Sequence, residues 1–296
     1  MTALLEQVVL ELASALPRDP PPSELELRDL IYERYFTRWN PQVVPVDGHP
    51  DFVAALEEAA AGRECWEPGY RVAKLQGDWA YVTGPQLTLF VDDRRHGLHP
   101  PTAVEGDEVR VRVPCARPNL TPGFFYFLGR AGPVDHSRVH VKLYLNLSPS
   151  HAPILLHSLL NEPSLERCVF EGKLVNDPDA YARADTAVLY VTPADLPPVL
   201  QHARDLHARH PDAFREGAPL MTREVLPGVG LAESPLPPPG EPPTSFGQHR
   251  CGLLARAVAV CLRDALPPSA WMDAVRAAFS AEGLSADRPW CGTLDL

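Results

Sequence analysis

Hydrophobic and polar positions alternate strictly along HSRVHVKLYLNLS (residues 136–148), which predicts a long β-strand. Successive side chains of a strand point to opposite faces, so one face is aliphatic and the other is polar. The aliphatic face holds Val139, Val141, Leu143, Leu145 and Leu147, and the polar face holds Arg138, His140, Lys142, Tyr144 and Asn146. Three basic groups therefore stand in a row, about 7 Å apart. The row is interpreted either as the solvated face of an edge strand, protected from aggregation by its charges, or as an anion-binding face.

The remaining chain mixes helical and β periodicities. In the N-terminal part, helices are predicted at 1–16, after Ser23 as N-cap, and at 50–61, and strands within 71–91, at 108–114 and at 122–129. In the C-terminal part, strands are predicted at 168–177 and 186–192, and helices at 148–160, 177–184, 194–211, 245–266 and 268–283. These elements predict an α+β fold with mixed helices and a mostly antiparallel sheet.

Two units are expected along the chain. Residues 1–130 form a helical and β region that is a candidate for peptide binding, and residues 131–296 form an α+β unit that carries the chemistry. The two units are also compatible with packing as one domain. The proline-rich segment 234–244 is interpreted as a loop, either a lid or a disordered stretch.

Composition limits the function classes. The net charge of −11 argues against a nucleic-acid partner, although a local basic patch can still bind an anion. The six cysteines form no CxxC pair, which favours reduced thiols. The N-terminus lacks the basic region of a signal peptide, and no apolar run is long enough for a membrane span. We therefore expect a cytoplasmic protein that neither binds nor crosses a membrane.

Lysine is scarce in this chain. Of 27 basic residues, only Lys74, Lys142 and Lys173 are lysine, and the rest are arginine. The abundance of arginine, alanine and proline is typical of GC-rich codon usage, under which a surface lysine readily becomes arginine. A retained lysine is then a candidate for chemistry, because lysine can lose its proton at a shifted pKa and arginine effectively cannot. Chance retention is the alternative.

Further candidate residues lie outside the strand predicted at 136–148. Lys173 stands in the strand-like run CVFEGKLVND, Arg183 precedes the next apolar strand, and Tyr190 lies within that strand. Arg250 stands in the first turns of a helix that begins at Ser245, and helix N-termini attract anions. Each of these residues taken alone is compatible with a structural role. No metal-site, P-loop or serine-hydrolase motif is present, so we expect neither a metal nor a cofactor.

Four blocks in order resemble the HopA1 family, which is named for a type III effector and includes lyase components of lanthipeptide and thioamitide biosynthesis. The blocks are RVHVKLYLNLSPSHAPILLHSLL, KLVNDPDAYARADTAVLYV, MTREVLPGVGLAESP and SFGQHRC, and the resemblance covers roughly residues 120–260. Those lyases are similar, more distantly, to the phosphothreonine lyases of bacterial effectors. The resemblance therefore implies a phosphothreonine-lyase-like catalytic unit.

Individual roles follow from the resemblance. The KxH strand motif of the distant lyases falls on Arg138–His140, with arginine in place of lysine, and their KVTD motif falls on Lys173–Asp177, with one extra residue. This assignment makes Lys173 the base that removes the Cα proton and His140 the acid that protonates the leaving phosphate. The implied phosphate-holding side chains are Arg138, Lys142, Arg183, Tyr190 and Arg250; the assignment of Arg250 comes from the SFGQHRC block alone.

The implied reaction is β-elimination of phosphate from phosphoserine or phosphothreonine, giving dehydroalanine or dehydrobutyrine. The implied substrate is a ribosomal precursor peptide, phosphorylated beforehand by a separate Ser/Thr kinase-like protein, with a cyclase as a further partner. The chain itself carries no kinase signature. Two alternatives stay open: an effector-like or scaffolding protein that binds a phosphorylated partner without chemistry, and a lyase that acts on a host protein.

Overall fold

The computed structural model describes residues 2–17, 19–38, 48–84, 87–236 and 244–296. Its largest element is a seven-stranded antiparallel sheet with the strand order β11-β12-β8-β10-β9-β7-β6. Its strands are β6 (Ala116–Thr121), β7 (Phe124–Leu128), β8 (Val141–Leu145), β9 (Phe170–Val175), β10 (Ala187–Val191), β11 (Arg223–Leu226) and β12 (Val229–Glu233). We call this sheet the large sheet.

A second antiparallel sheet, the small sheet, is formed by the N-terminal half and has the order β3-β2-β1-β5-β4. Its strands are β1 (Glu64–Gln76), β2 (Trp79–Thr83), β3 (Thr88–Val91), β4 (Leu98–His99) and β5 (Glu108–Pro114). One face of this sheet buries its own small core, which includes Val72, Val82 and Val111.

The α-helices of the described residues lie around the large sheet, except the one-turn helix Arg94–Gly97, which packs beside β4 and β5 of the small sheet. They are α1 (Thr2–Ala15), α2 (Glu24–Ile31), α3 (Pro50–Ala59), α4 (Arg94–Gly97), α5 (Ala152–Asn161), α6 (Leu196–Arg209), α7 (Phe246–Arg263) and α8 (Trp271–Ala281). A π-helix, Tyr32–Thr37, continues α2. Ser23 caps α2 as expected: its side chain accepts the amide of Glu26, and its own amide donates to the Glu26 carboxylate at 2.8 Å. The predicted α+β class is confirmed.

The large sheet is covered on both faces. One face packs its aliphatic side chains, such as Leu143 and Leu189, against α3, α5 and α6. The opposite face carries Tyr144 and Val188 and packs against α1, α2, α7 and α8. The predicted alternation of faces along β8 is therefore confirmed, and both of its faces lie inside the protein.

The strand predicted at residues 136–148 corresponds to β8, which differs from the prediction in length and position. Regular pairing runs over Val141–Leu145, whereas residues 136–138 form a turn in which Asp135 accepts the amide and the hydroxyl of Ser137. β8 lies between β12 and β10. The interpretation as a solvated edge strand is therefore wrong, because neighbouring strands satisfy both of its backbone edges and helices cover both of its faces.

The expected division at residue 130 does not coincide with the architecture. β6 and β7 precede residue 130 and belong to the large sheet. Helices α1 and α2 share a buried core with α7 and α8, in which Leu5 and Leu27 pack with Leu254 and Phe279. Amphipathic N-terminal helices could be predicted from the sequence, but their packing partners lie more than 200 residues away along the chain.

The proline-rich segment that we considered as a lid falls mostly outside the described residues, which resume at Thr244. All six cysteines are free thiols, as expected from their spacing. Across the described ranges, none of the helices combines the length and the apolar character that crossing a membrane requires.

Candidate active site

Three central strands bring three of the predicted site residues, Lys142, Lys173 and Tyr190, onto one face of the large sheet. Lys142 on β8 lies opposite Tyr190 on β10, and Tyr190 lies opposite Glu171 on β9. Lys173 follows two residues after Glu171 and therefore points to the same face. The two lysines stand on strands that flank β10, with backbones roughly 10 Å apart across the sheet. We call the patch formed by the side chains of Lys142, Tyr190, Glu171 and Lys173 the lysine face.

Gly172, between Glu171 and Lys173, lets β9 pack closely on its other face. A Cβ atom at this position would lie 2.5 Å from the ring of Phe127 and 2.8 Å from the side chain of Leu189. The local sequence Glu-Gly-Lys therefore places two charged side chains on the lysine face while the residue between them fits a crowded core.

Lys142 is a buried ammonium group. Its side chain is only 6% exposed, and its Nζ lies 5.1 Å from the centre of the Tyr190 ring. Burial, followed by the charge of Lys173, lowers the pKa of Lys142 to about 7. Near neutral pH this amine is poised between its charged and neutral forms.

Lys173 is partly exposed at the edge of the same cluster. Its Nζ lies 4.1 Å from the centre of the Phe124 ring. Burial of the amine lowers the pKa of Lys173; the nearby Asp185 opposes this shift and Arg183 adds to it. The residue as a whole is partly exposed, but its amine is buried, and an amine whose pKa is lowered in this way is suited to act as a base.

Arg183 joins the cluster as a member of a buried ion pair. Its guanidinium donates to both carboxylate oxygens of Asp185, at 2.6 and 2.9 Å, and lies 5.3 Å from the Phe124 ring that Lys173 also contacts. The structure therefore brings Arg183 close to Lys173, as expected. Asp185 was not predicted from the sequence, because one aspartate among many in the loop before a strand carries no distinctive signal.

His140 lies immediately before β8 and is buried. Its Nδ1 donates to the carbonyl of Arg138 at 3.0 Å, so the proton of the neutral ring is on Nδ1. Within the described part of the chain, Nε2 has no hydrogen-bond partner. Burial lowers the pKa of His140, and Lys142 and His136 add to this effect. Nε2 is therefore a buried nitrogen available to exchange a proton with a ligand.

Sequence reasoning missed a carboxylate–histidine pair beside His140. Glu171 is 2% exposed, accepts the hydroxyl of Tyr126 at 2.5 Å and the amide of Val134 at 3.3 Å, and pairs with Nε2 of His136. The His136 ring lies 4.8 Å from the His140 ring and 5.5 Å from the Tyr190 ring. The alternation of β9 could have indicated Glu171, since it shares a face with Lys173.

Two predicted phosphate ligands occupy other positions. Arg138 is exposed in the turn before β8, where its amide donates to the carbonyl of Asp135 at 3.1 Å. Its clear contact with the site is through its backbone carbonyl, which holds His140. It was expected on a strand face with His140 and Lys142, but the strand begins only at Val141.

Arg250 is tied to the C-terminal segment. It is 2% exposed, donates to the carbonyl of Pro289 at 2.7 Å and to that of Cys291 at 3.3 Å, and contacts Nδ1 of His249 at 2.8 Å. Burial lowers its pKa to about 10. These contacts hold residues 289 and 291 against α7 and occupy the guanidinium with backbone carbonyls.

The π-helix Tyr32–Thr37 packs over the lysine face. Tyr32 of the π-helix is partly buried near Asp185, and desolvation followed by this carboxylate raises its pKa. The carbonyl of Thr37 accepts the amide of Ala184 at 2.7 Å. Gly247 of α7 allows close approach, because a Cβ there would lie 2.5 Å from the Phe36 ring. Residues 32–37 therefore help to enclose the site.

Comparison with known proteins identifies the family of this fold. The model of the HopA1 effector protein family matches residues 115–290. The chain belongs to this family. The HopA1 match spans every strand of the large sheet and helices α5 to α8, so it contains the lysine face. The family resemblance inferred from the four sequence blocks is confirmed.

Solved structures of two bacterial effector proteins share the architecture. The effector protein from Pseudomonas syringae pv. tomato strain DC3000 aligns with a TM-score of 0.56 and 18% identity, over 99% of this chain and 98% of that chain. The effector protein from Pseudomonas syringae pv. syringae strain 61 aligns with a TM-score of 0.54 and 18% identity, over 98% and 96% of the two chains. At this identity the likeness concerns the fold. No curated protein matches the chain by sequence.

Proposed function

We propose that this HopA1-family protein is a phosphoserine/phosphothreonine lyase that eliminates phosphate from a precursor peptide in the bacterial cytoplasm. The observation that carries the proposal is the lysine face, where Lys142 and Lys173 have lowered pKa values beside His140, whose Nε2 is buried. The resemblance to lyases of lanthipeptide and thioamitide biosynthesis supports the same reaction. A separate kinase-like protein supplies the phosphorylated peptide, and a cyclase is a candidate consumer of the product.

The reaction needs a base, an acid and an anion site. Neutral Lys173 takes the Cα proton of the phosphorylated residue, and the released electron pair forms the Cα–Cβ double bond. The Cβ–O bond breaks, and His140 gives a proton to the departing phosphate oxygen. The products are inorganic phosphate and dehydroalanine from serine, or dehydrobutyrine from threonine. Proton transfers and one elimination complete this scheme without a metal or cofactor.

Phosphate binding favours the protonation states that this reaction requires. A dianion beside Lys142 and Arg183 is attracted to their charges, and Tyr190 offers a hydroxyl donor on the same face. The same dianion raises the pKa of His140, which burial lowers in the free protein, so His140 becomes protonated when its proton is needed. We propose Lys142, Arg183 and Tyr190 as the principal phosphate-holding side chains, and Arg138 as an outer cation.

Lys142 is the alternative to Lys173 as the base. Lys142 has its pKa lowered to about 7, so it also can be neutral near physiological pH. We retain Lys173 because it follows the lyase motif, whereas the Nζ of Lys142 lies 5.1 Å from the centre of the Tyr190 ring, beside the proposed phosphate-holding hydroxyl. In this assignment Lys142 binds the phosphate, and its positive charge favours the neutral form of Lys173.

The test is incubation with a phosphothreonine or phosphoserine peptide, followed by mass spectrometry. Elimination removes phosphoric acid from the peptide and leaves a dehydroamino acid that adds an external thiol. Hydrolysis would instead give the hydroxyl peptide, which does not react with the thiol. An unchanged phosphopeptide, or the hydroxyl product, would count against the lyase proposal.

A second candidate function is binding of a phosphorylated partner without chemistry, as an effector-like or scaffolding protein. The observation that favours it is the structural likeness to two effector proteins. Calorimetry with the same phosphopeptide separates the two candidates. Tight binding of the phosphopeptide with no loss of phosphate over hours would favour the second.

A further inference from the structure

An arginine-lined groove lies on the outer face of the small sheet, where this sheet meets the end of β7. Its volume is about 440 Å³. Arginine side chains 110, 112, 130 and 167 line it together with Trp66. We call this feature the arginine groove. It is separate from the lysine face and has no part in the elimination scheme.

The strand pattern builds the basic wall of the groove. Along β5, Val109 and Val111 point into the small core, so Arg110 and Arg112 point outward. Arg112 lies directly opposite Trp66 on β1. Two guanidinium groups and an indole thus share one exposed sheet face, which offers both charge and a flat apolar surface to a ligand.

The groove has a surplus of positive charge. Arg112 pairs with Glu64 at 2.7 Å, and Arg130 pairs with Glu166 at 3.1 Å. Arg110 and Arg167 have no carboxylate within ion-pair distance among the described residues. These two unpaired guanidinium groups face the groove of a protein whose net charge is −11. The local charge therefore opposes the overall charge, as expected of an anion-binding surface.

One loop connects the groove to the lysine face. The carbonyl of Arg130 accepts the amide of Trp66 at 3.2 Å, which holds the start of the loop at the groove. Six residues later, His136 pairs with Glu171 at the lysine face. A span of six residues reaches at most about 21 Å, so the two features lie within the length of a short extended peptide.

We propose that the arginine groove binds acidic side chains of the peptide substrate, on a segment several residues away from the phosphorylated residue. This inference rests on the proposed lyase function for the identity of the substrate. Arginine suits the task because its planar guanidinium can bind a carboxylate through two parallel hydrogen bonds. Trp66 provides an apolar surface for the stems of those side chains. Acidic residues near the phosphosite therefore determine which peptides are used.

The first experiment measures binding without chemistry. A fluorescent, unphosphorylated peptide with a cluster of Asp and Glu is titrated with the wild-type protein and with the double variant Arg110→Gln/Arg167→Gln. Loss of two exposed charge contacts should weaken binding by roughly two- to tenfold. The matched control is Arg95→Gln/Arg204→Gln, which removes two exposed arginines elsewhere on the surface and should leave the affinity unchanged.

The second experiment uses charge reversal. The variant Arg110→Glu/Arg167→Glu should lose the acidic peptide and gain affinity for the same peptide with lysine in place of its acidic residues. Equal weakening in the groove and control variants would overturn the proposal, and so would tighter binding of a single-stranded oligonucleotide than of the acidic peptide. The lysine-peptide rescue separates a lost contact from a misfolded variant.

A kinetic comparison keeps this inference distinct from the lyase proposal. For a phosphopeptide with an acidic segment, kcat/KM should fall in Arg110→Gln/Arg167→Gln, whereas a short neutral phosphopeptide should be eliminated at the wild-type rate. If wild-type protein eliminates no phosphopeptide, the lyase proposal fails, and the binding experiments still decide whether the groove takes acidic peptides.

Discussion

Lys142 and Lys173 lie on the same face of the large sheet, on the two strands that flank β10, and the charge of Lys173 lowers the pKa of Lys142. Within the described residues, Lys142 has no carboxylate partner, and Asp185 compensates charge on the Lys173 side of the cluster. Two like charges held together in a partly buried site are costly without an anion. A phosphate dianion bound at the lysine face would compensate this repulsion.

The cost should be visible as a pH dependence of stability. The pKa of Lys142 is about 7 in the folded protein and 10.5 in an ordinary lysine. Between these pH values the unfolded chain holds a proton that the folded chain has released, so the free energy of unfolding should rise with pH across this window. Lys142→Met should reduce this rise, leaving the part that comes from the lowered pKa of Lys173, and should stabilise the protein at pH 7 by about 1 kcal/mol or more.

Urea unfolding at pH 7 and pH 9 measures this difference. Lys74→Met is the matched control, because Lys74 is exposed on the small sheet and its replacement should leave the pH dependence unchanged. A Lys142→Met variant that is less stable than wild type at pH 7 would show that the ammonium group is not penalised by its surroundings.

The proposed division of roles predicts different kinetic losses at the two lysines. Lys173→Ala should reduce kcat by roughly 10²- to 10⁴-fold, because a general base is lost, while phosphopeptide binding persists. Lys142→Met should mainly raise KM, because a phosphate-holding charge is lost. Single-turnover assays and calorimetry with a phosphopeptide measure the two effects, with Lys74→Met as control. The opposite pattern would identify Lys142 as the base.

The sequence predicted much of this site because strand alternation is a local property. Lys142 and Tyr144 share a face as expected, and scarcity of lysine drew attention to both residues of the pair. Alternation cannot tell whether the polar face meets solvent or a second helical layer. That distinction depends on α7 and the N-terminal helices, which pack there from opposite ends of the chain.

Other parts of the site depend on contacts that no spacing rule reveals. His136 and His140 are four residues apart, a distance without special meaning on a strand, but the turn at 136–138 brings their rings to 4.8 Å. Glu171 on β9 pairs with His136, which lies in the turn before β8 and 35 residues away in sequence. Arg250 lies in the first turns of α7 as expected, but its carbonyl partners, Pro289 and Cys291, lie 39 and 41 residues away in sequence.

Glu171 should act as a positioning residue for the acid. Its charge raises the pKa of His140 against the effect of burial, so Glu171→Gln should lower that pKa further. Since the acid works only when protonated, the loss of activity on the alkaline side should begin at a lower pH in this variant, with kcat reduced about tenfold. The pH profile of kcat with a phosphopeptide measures the shift.

Tyr126→Phe is the matched control for this prediction. It removes the hydroxyl that donates to Glu171 at 2.5 Å and keeps the carboxylate charge, so the alkaline side of the profile should remain in place. A purely structural role for Glu171 would instead lower activity at every pH without moving the profile. Equal behaviour of the two variants would contradict the electrostatic role.

The C-terminal segment should depend on one buried carboxylate. Glu233, at the end of β12, is 4% exposed and accepts the amides of Gly292 at 2.7 Å and Leu294 at 2.8 Å and both the amide and the hydroxyl of Thr293. Glu233→Ala leaves these donors without their acceptor and should destabilise the protein by about 2–4 kcal/mol. Urea unfolding measures the loss, and faster trimming by carboxypeptidase shows that the chain end is released.

Asp295→Asn is the control, because Asp295 is exposed and pairs only with Arg288 at the surface among the described residues. Glu233→Gln keeps the side-chain shape and one acceptor oxygen, so its stability should fall between those of wild type and Glu233→Ala. Because Arg250 holds the same segment through Pro289 and Cys291, Arg250→Met should also expose the chain end to carboxypeptidase. If Arg250→Met instead raises KM for a phosphopeptide and leaves the chain end protected, the arginine serves the phosphate and the segment is held by Glu233.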